Sequence, residues 1–221
     1  MACGTGKTYT SLQIAEKMVP DGGTMLFLVP SIALLSQTLK EWKRESNRRI
    51  TAYAVCSDSK IGKRKDDEDI QVPDLAYPAT TSTDRLAWHF KHNSERNKGF
   101  TVIFSTYQSI DVVAEAQGAG VPEFDLIVCD EAHRTTGVTL AGADESTFVR
   151  VHDNKFITAK KRLYMTATPR IYAEQSKAKA AEGDATLASM DDENLYGQEF
   201  HRLNFGQAVS KGLLSDYKVL V

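Results

Sequence analysis

Four short apolar runs set the main constraint on how this chain can fold. In chain order they read TMLFLVP, GFTVIFST, FDLIVCDEAH and KRLYMTATP. Apolar runs of this length, closed by proline or polar residues, are typical of strands buried on both faces of a sheet. Helical segments alternate with them, which predicts parallel strands joined by crossover helices. The sequence therefore predicts an α/β fold with a mostly parallel sheet flanked by helices.

Helical periodicity is clearest in two segments. TYTSLQIAEKMV repeats apolar residues at helical spacing and ends before a Pro-Asp-Gly-Gly turn. SIALLSQTLKEWKRES predicts a second helix, with Ser31 as its N-cap. The first predicted helix precedes the first apolar run, and the second lies between the first two runs, as a crossover connection should.

The middle of the chain is more varied. RITAYAVCS predicts another strand, and KIGKRKDDEDIQ, with four basic and then four acidic residues, predicts a solvated loop. TTSTDRLAWHF predicts a short helix capped by Ser82 or Thr83. No element is predicted for the polar stretch from Arg134 to Lys155.

Composition limits the class of protein. The 221 residues, 42% hydrophobic and 25% charged, fit one globular domain or one domain plus a piece of another. A free-standing duplex-DNA binder is usually basic, whereas this chain has a net charge of −2. Any nucleic-acid contact is therefore predicted to be confined to a local surface or shared with other parts of a longer chain. Three cysteines without CxxC spacing favour reduced thiols. With no signal peptide or membrane-spanning run, the predicted location is cytoplasmic.

A glycine-rich loop, CGTGKT, occupies residues 3–8. It matches the phosphate-loop pattern GxxxxGK[ST] except at the first position, where Met1 stands. Glycines let backbone N–H groups close around phosphate oxygens, and the following helix directs its N-terminal dipole at the anion. Lys7 is predicted to reach the β and γ phosphates, and Thr8 to offer a hydroxyl to Mg²⁺. The alternative is a glycine-rich turn that happens to contain a lysine. The candidate nucleotide-binding residues are Gly4, Thr5, Gly6, Lys7 and Thr8.

A pair of carboxylates follows the third apolar run, about 120 residues after the loop. Asp130 is predicted to hold Mg²⁺, usually through a water, and Glu131 to polarise an attacking water. The loop alone favours phosphate binding, whereas an Asp-Glu pair after a strand is by itself usually only a polar loop start. Together with the loop they indicate a nucleotide hydrolase with Lys7, Asp130 and Glu131 as its catalytic residues. His133, by itself a surface histidine, becomes a candidate sensor of the γ-phosphate.

The segments GTGKT, VCDEAH and MTATPR, in that order, resemble the first RecA-like domain of a superfamily-two helicase or translocase. LVPSIALLSQTLKEW resembles that superfamily's motif Ia, and FSTYQSI the next nucleic-acid-contacting motif. The resemblance spans residues 3–170. It implies a DEAH-type P-loop NTPase domain of three layers, αβα, that uses ATP and Mg²⁺.

The resemblance also implies roles for polar residues outside the hydrolytic centre. His133, Thr166 and Thr168 would couple the nucleotide state to DNA. A second group would meet the sugar–phosphate backbone. It consists of Pro30, Ser31, Ser105, Thr106 and Gln108. For the threonines and serines, the alternatives are strand-end capping and turn chemistry. Arg170 is as well explained by a surface charge as by a phosphate contact.

The tail SMDDENLYGQEFHRLNFGQAVSKGLLSDYKVLV resembles the helicase segment of type ISP restriction–modification enzymes, with type I and type III motor subunits as more distant relatives. This implies a motor acting on duplex DNA through the complete enzyme. No nuclease or methyltransferase motif occurs in the 221 residues, so those regions would lie elsewhere in a longer chain.

Members of this superfamily carry a strand and an adenine-contacting segment before the loop, and a second RecA-like domain afterwards. We therefore expect an N-terminally truncated first domain at residues 1–215. Residues 216–221 would begin the connection to the second domain. An arginine supplied across the domain interface is worth about 10³–10⁵ in rate, so residues 1–221 alone should hydrolyse ATP barely or not at all.

Two other functions are also compatible with the sequence. One is an RNA or repair helicase of the same superfamily, which only substrate tests would separate from a DNA translocase. The other is a nucleotide-dependent binding module that does not hydrolyse ATP in this form. Glu131 argues against the second for the longer protein.

Overall fold

The computed structural model describes residues 1–56, 79–92, 99–140, 146–182 and 185–216. Its strands are β1 (Thr24–Val29), β2 (Ile50–Val55), β3 (Ala79–Thr80), β4 (Phe100–Thr106), β5 (Leu126–Cys129), β6 (Gly137–Leu140), β7 (Arg162–Tyr164) and β8 (Ala185–Ala188). Its α-helices are α1 (Lys7–Met18), α2 (Ile32–Glu45), α3 (Thr83–His92), α4 (Ile110–Gly118), α5 (Glu174–Glu182), α6 (Glu193–Tyr196) and α7 (Phe205–Ser210).

Six strands form one parallel sheet in the order β3-β2-β4-β1-β5-β7. Strand β1 lies inside the sheet, and all six of its residues are buried. Successive side chains of a strand point to opposite faces. Met25 and Phe27 accordingly pack in the core beneath α1 and α2, whereas Leu26 and Leu28 pack in the core beneath α3 and α4. The predicted three-layer α/β architecture is confirmed.

Trp42 anchors α2 to the sheet and to α1. Its ring is fully buried and meets Phe27 and Phe104 edge-on, at centroid distances of 5.0 and 5.7 Å. Its indole N–H donates to the Thr8 carbonyl at 3.2 Å, which satisfies a buried donor. One side chain therefore connects the hydrophobic core to the first turn of α1.

The helix starts follow the predicted caps. The Ser31 hydroxyl accepts from the Leu34 N–H at 3.4 Å at the start of α2. At the start of α3, the Ser82 hydroxyl accepts from the Arg85 N–H at 3.3 Å, so Ser82 is the capping residue. These bonds satisfy N–H groups that have no partner inside the helix.

Several elements were not predicted from the sequence. Strands β6 and β8 pair antiparallel in a separate two-stranded sheet, and short 3-10 helices span Ala132–Thr135 and Arg150–His152. Strand β6, the 3-10 helix Arg150–His152 and the second half of the 3-10 helix Ala132–Thr135 fall within the polar stretch from Arg134 to Lys155, for which no element is predicted. The predicted charged loop KIGKRKDDEDIQ, and the predicted connection apart from Asp216, lie outside the described residues. The domain boundary at residue 215 stays a prediction.

A buried hydroxyl in β4 supports a stability prediction. Thr101 is fully buried, and its Oγ1 has no hydrogen-bond partner among the described residues. An unsatisfied buried hydroxyl is costly, so Thr101→Val is expected to raise the free energy of unfolding by about 1 kcal/mol. Urea denaturation would measure the change. Thr51→Val, at the β2 position paired with Thr101, controls for strand propensity. A destabilised Thr101→Val variant would contradict the prediction.

Candidate nucleotide-binding site

The glycine-rich loop turns sharply before α1. Gly4 and Gly6 have φ of 75° and 83°, in the left-handed region that glycine enters readily. Gly6 is the N-cap of α1 and supplies no side-chain cap, and the first turn of the helix holds no acidic residue. The first N–H groups and the positive end of the helix dipole are therefore available to an anion.

The polar side chains of the loop bond to its own backbone. The Lys7 ammonium donates to the carbonyls of Met1 and Ala2 over 3.3 and 3.4 Å, and the Thr5 hydroxyl donates to Ala2 O at 2.7 Å. The Lys7 bonds are long, so phosphate oxygens can replace these carbonyls at little cost. The Thr8 carbonyl accepts from Ser11 Oγ at 2.7 Å as well as from the Trp42 indole, which holds the helix start in place.

The first of the two carboxylates follows β5 directly. Asp130 is 8% exposed, and its backbone is held by bonds from its N–H to Leu28 O and from the Tyr107 hydroxyl to its carbonyl, both 2.9 Å. Burial raises the pKa of the Asp130 carboxyl. The Glu131 N–H, 3.0 Å from Oδ1, and the Lys7 ammonium both oppose that rise. A bound cation would also lower the pKa of Asp130 and keep the carboxylate charged, so Asp130 fits a metal-binding role.

Glu131 has an unusual backbone conformation. Its φ of 48° lies in the left-handed region, and among the described residues no other non-glycine residue has a positive φ. Such a conformation costs on the order of 1–3 kcal/mol and persists only where the surroundings hold it. The 3-10 turn Ala132–Thr135 follows immediately, with Ala132 N bonded to Met165 O at 2.9 Å. In this conformation the Glu131 N–H bonds Asp130 Oδ1, and the Glu131 carboxylate lies 3.4 Å from His133 Nδ1.

All three predicted coupling residues meet beside Glu131. His133 Nδ1 lies 3.0 Å from Thr166 Oγ1, 3.4 Å from Thr168 Oγ1 and 3.4 Å from Glu131 Oε2. The Thr168 N–H also donates to Thr166 Oγ1 at 3.1 Å. The amino group of Met1 donates to the Thr166 carbonyl at 3.1 Å. The fold therefore brings the loop, the Asp-Glu-Ala-His segment and the Thr-Ala-Thr segment into one place.

The candidate nucleic-acid residues lie where the neighbouring strands β1 and β4 end, but they differ in exposure. Ser31 is exposed and Gln108 is half-buried, whereas Pro30 is buried. The Ser105 and Thr106 hydroxyls are buried and donate to Thr106 O and Ser109 Oγ. Side-chain contact with a nucleic acid is therefore open to Ser31 and Gln108 in this conformation.

Sequence reasoning missed Tyr107 as a site residue. It is fully buried, stacks on Phe148 at 5.0 Å and bonds the Asp130 carbonyl. A tyrosine at a strand end carries no local sign of such a role, because its partner lies 23 residues further along the chain.

A family model described as the type III restriction enzyme res subunit, ResIII, matches residues 1–171. The chain belongs to the ResIII family. The matched range of this ResIII chain contains every residue placed in the site above. No curated protein matches the chain significantly.

Two solved structures are similar to nearly the whole ResIII chain. One is a nuclease-deletion mutant of the type ISP restriction–modification enzyme LlaGI in complex with a DNA substrate mimic, at 45% identity and a TM-score of 0.74. The other is the ATP-dependent type ISP enzyme LlaBIII bound to DNA, at 45% identity and a TM-score of 0.76. Each match covers 99% of this chain, but only 16% of the LlaGI chain and 14% of the LlaBIII chain.

A third structure shares only the fold. The Hef helicase domain of Pyrococcus furiosus matches 88% of this ResIII chain and 35% of its own at 21% identity, with a TM-score of 0.50. The Hef likeness agrees with the RecA-like architecture. The superfamily-two relationship rests on the ResIII match and the two type ISP structures. Among the described residues, no helix is both long enough and apolar enough to cross a bilayer.

Proposed function

We propose that this ResIII chain is the ATP-binding half of a DNA translocase in a restriction–modification enzyme of the cytoplasm. The observation that carries the proposal is the convergence of Lys7, Asp130 and Glu131 at one edge of the sheet. The Lys7 ammonium is near enough to oppose the raised pKa of Asp130. The 45% identity to LlaGI and LlaBIII, both solved with DNA or a DNA mimic, supports the choice of DNA as the substrate.

In this proposal the loop residues Gly4 to Thr8 hold the triphosphate through backbone N–H groups and the Lys7 ammonium. Within the described residues, no group of three His, Cys, Asp or Glu side chains could hold a metal alone. The residues present still suit Mg²⁺, which keeps several waters and binds through one or two protein groups and substrate phosphates. Thr8 and Asp130 would hold it, and when bound it neutralises charge on the phosphates.

Glu131 is the proposed general base. It follows the metal-binding candidate directly and is held in a strained conformation, so its carboxylate can orient a water and accept its proton. His133 lies between Glu131 and the two threonines, so it can sense whether the γ-phosphate is present and pass that change to Thr166 and Thr168. Exposed Ser31 and half-buried Gln108 are the proposed DNA contacts.

ATP turnover by the full-length protein tests the proposal. The rate is measured without nucleic acid, with duplex DNA and with duplex RNA, alongside displacement of a triplex-forming strand as a readout of translocation. We expect hydrolysis that duplex DNA stimulates and RNA does not. A folded protein that does not hydrolyse ATP, or that responds equally to RNA, would refute the proposal.

A further inference from the structure

A group of polar and aromatic side chains lies behind the Ala132–Thr135 turn. We call Thr135, His152, Tyr164 and Tyr196 the turn-support cluster. The three rings are mutually in contact, with centroid distances of 4.8 to 5.3 Å. Thr135 is fully buried. None of the four is among the site residues predicted from the sequence, and Tyr196 lies beyond the residues 1–171 that the family model matches.

The hydrogen bonds of His152 define its tautomer. Its Nε2 lies 3.1 Å from the Thr135 carbonyl, which can only accept, so Nε2 carries the proton and donates. Nδ1, 2.9 Å from the Tyr164 hydroxyl, must then accept from it. Burial lowers the pKa of His152 and raises that of Tyr164, so both groups stay neutral as this arrangement requires.

A second chain of bonds reaches the turn from α6. The Thr135 hydroxyl donates its single proton to the Ala132 carbonyl at 2.8 Å. Its contact of 3.0 Å with the Tyr196 hydroxyl is therefore one in which Tyr196 donates. Burial raises the pKa of Tyr196 to about 12, so that proton is retained at neutral pH. The bonds run from Tyr196 through Thr135 to Ala132.

These two chains support both ends of the turn. The Ala132 carbonyl accepts a hydrogen bond from the Thr135 hydroxyl, and the Ala132 N–H donates to the Met165 carbonyl. The Thr135 carbonyl accepts from His152 Nε2. The turn begins directly after Glu131, whose φ of 48° needs support from neighbouring structure. Because Ala132 is held on both sides, the backbone of Glu131 has little freedom to relax.

We propose that the turn-support cluster positions Glu131 for ATP hydrolysis, with Tyr196 and Thr135 as positioning residues. The inference rests on the proposed function, since it concerns the same carboxylate. It extends that function to α6, so a helix outside the matched family range sets the geometry of the general base. Loss of the Tyr196 or Thr135 hydroxyl should slow the chemical step without weakening nucleotide binding, because neither side chain lies at the phosphate loop.

The test compares Tyr196→Phe, Thr135→Val and Thr135→Ser in the full-length protein. The measurements are kcat and KM for ATP, the affinity for a non-hydrolysable ATP analogue, and the thermal unfolding midpoint. One lost hydrogen bond, at about 1 kcal/mol, corresponds to a change of about fivefold in rate. We expect Tyr196→Phe and Thr135→Val to lower kcat by about that factor while analogue affinity stays within about twofold. Thr135→Ser, which keeps the hydroxyl, should restore most of kcat.

Tyr53→Phe is the matched control, because the half-buried Tyr53 ring lies in β2 against His89 and Phe90, away from the cluster. Wild-type kcat in a folded Tyr196→Phe variant would overturn the positioning role while leaving the proposed function standing. A parallel fall in kcat and analogue affinity in all three cluster variants, without rescue by serine, would also overturn it. If the wild-type protein does not hydrolyse ATP, the proposed function fails first and this inference falls with it. Should Thr135→Val not fold, Tyr196→Phe, which keeps the ring, decides the question.

Discussion

Replacing Glu131 by glutamine is expected to leave ATP binding intact and to slow hydrolysis by about 10²–10⁴-fold, the usual scale for losing a general base. The amide has nearly the same shape as the carboxylate but cannot accept a proton from water. The backbone conformation should survive, since the bonds that hold Ala132 and the following turn do not involve the Glu131 side chain. Single-turnover hydrolysis and ATP-analogue affinity, measured in the full-length protein, separate the two effects.

Glu123→Gln provides the matched control for that experiment. It makes the same chemical change at an exposed position shortly before β5, away from the phosphate loop. Its turnover should equal that of the wild type. If Glu131→Gln also turns over ATP at nearly the wild-type rate, Glu131 is not the general base, and the turn-support cluster loses its proposed purpose.

Replacing Lys7 by alanine is expected to abolish detectable nucleotide binding while leaving the fold intact. Truncating one partner of a hydrogen-bonded charge pair costs about 2–5 kcal/mol, which weakens affinity by roughly 30-fold to several thousand-fold. The fold should tolerate the change, because the Lys7 bonds to the Met1 and Ala2 carbonyls are long. Calorimetric titration with an ATP analogue and Mg²⁺ measures the affinity, and a thermal unfolding scan checks the fold.

Lys17→Ala is the corresponding control on the same helix. Lys17 is exposed in the last turn of α1, at the opposite end from the loop, so its removal should not change nucleotide affinity. Normal analogue affinity in a folded Lys7→Ala protein would disprove the phosphate-loop assignment.

Much of the sheet could be predicted because its buried strands are marked by continuous apolar runs in the sequence. TMLFLVP and GFTVIFST are apolar on both faces, and this matches their positions as neighbouring strands inside the sheet. The starts of α2 and α3 were also predictable, since a serine before an apolar helical pattern caps it through short-range bonds. The loop and the two carboxylates could be proposed as site residues because binding of phosphate and Mg²⁺ would require particular residue types in sequence order.

The remainder depends on contacts between distant residues. Tyr196 meets Thr135 across 61 positions, and no local pattern marks an aromatic residue near the end of the chain as part of a support for the turn. Strands β6 and β8 are short, and their antiparallel pairing spans about 50 residues. The Ser105 and Thr106 hydroxyls were predicted to face a nucleic acid. Both hydroxyls instead donate to acceptors inside the protein, the Thr106 carbonyl and Ser109 Oγ, and the sequence does not reveal these contacts.

The hydrogen bond between the Trp42 indole and the Thr8 carbonyl makes Trp42 an intrinsic fluorescence probe of the start of α1. The chain has two tryptophans, and they differ sharply in surroundings: Trp42 is fully buried, whereas Trp88 is 57% exposed. Iodide or acrylamide quenches exposed indoles preferentially, so the emission that survives quenching reports mainly on Trp42. That residual fluorescence follows the first turn of α1 directly, through the 3.2 Å indole bond. A structural change in this turn on nucleotide binding would therefore alter the Trp42 emission, with no label on the nucleotide.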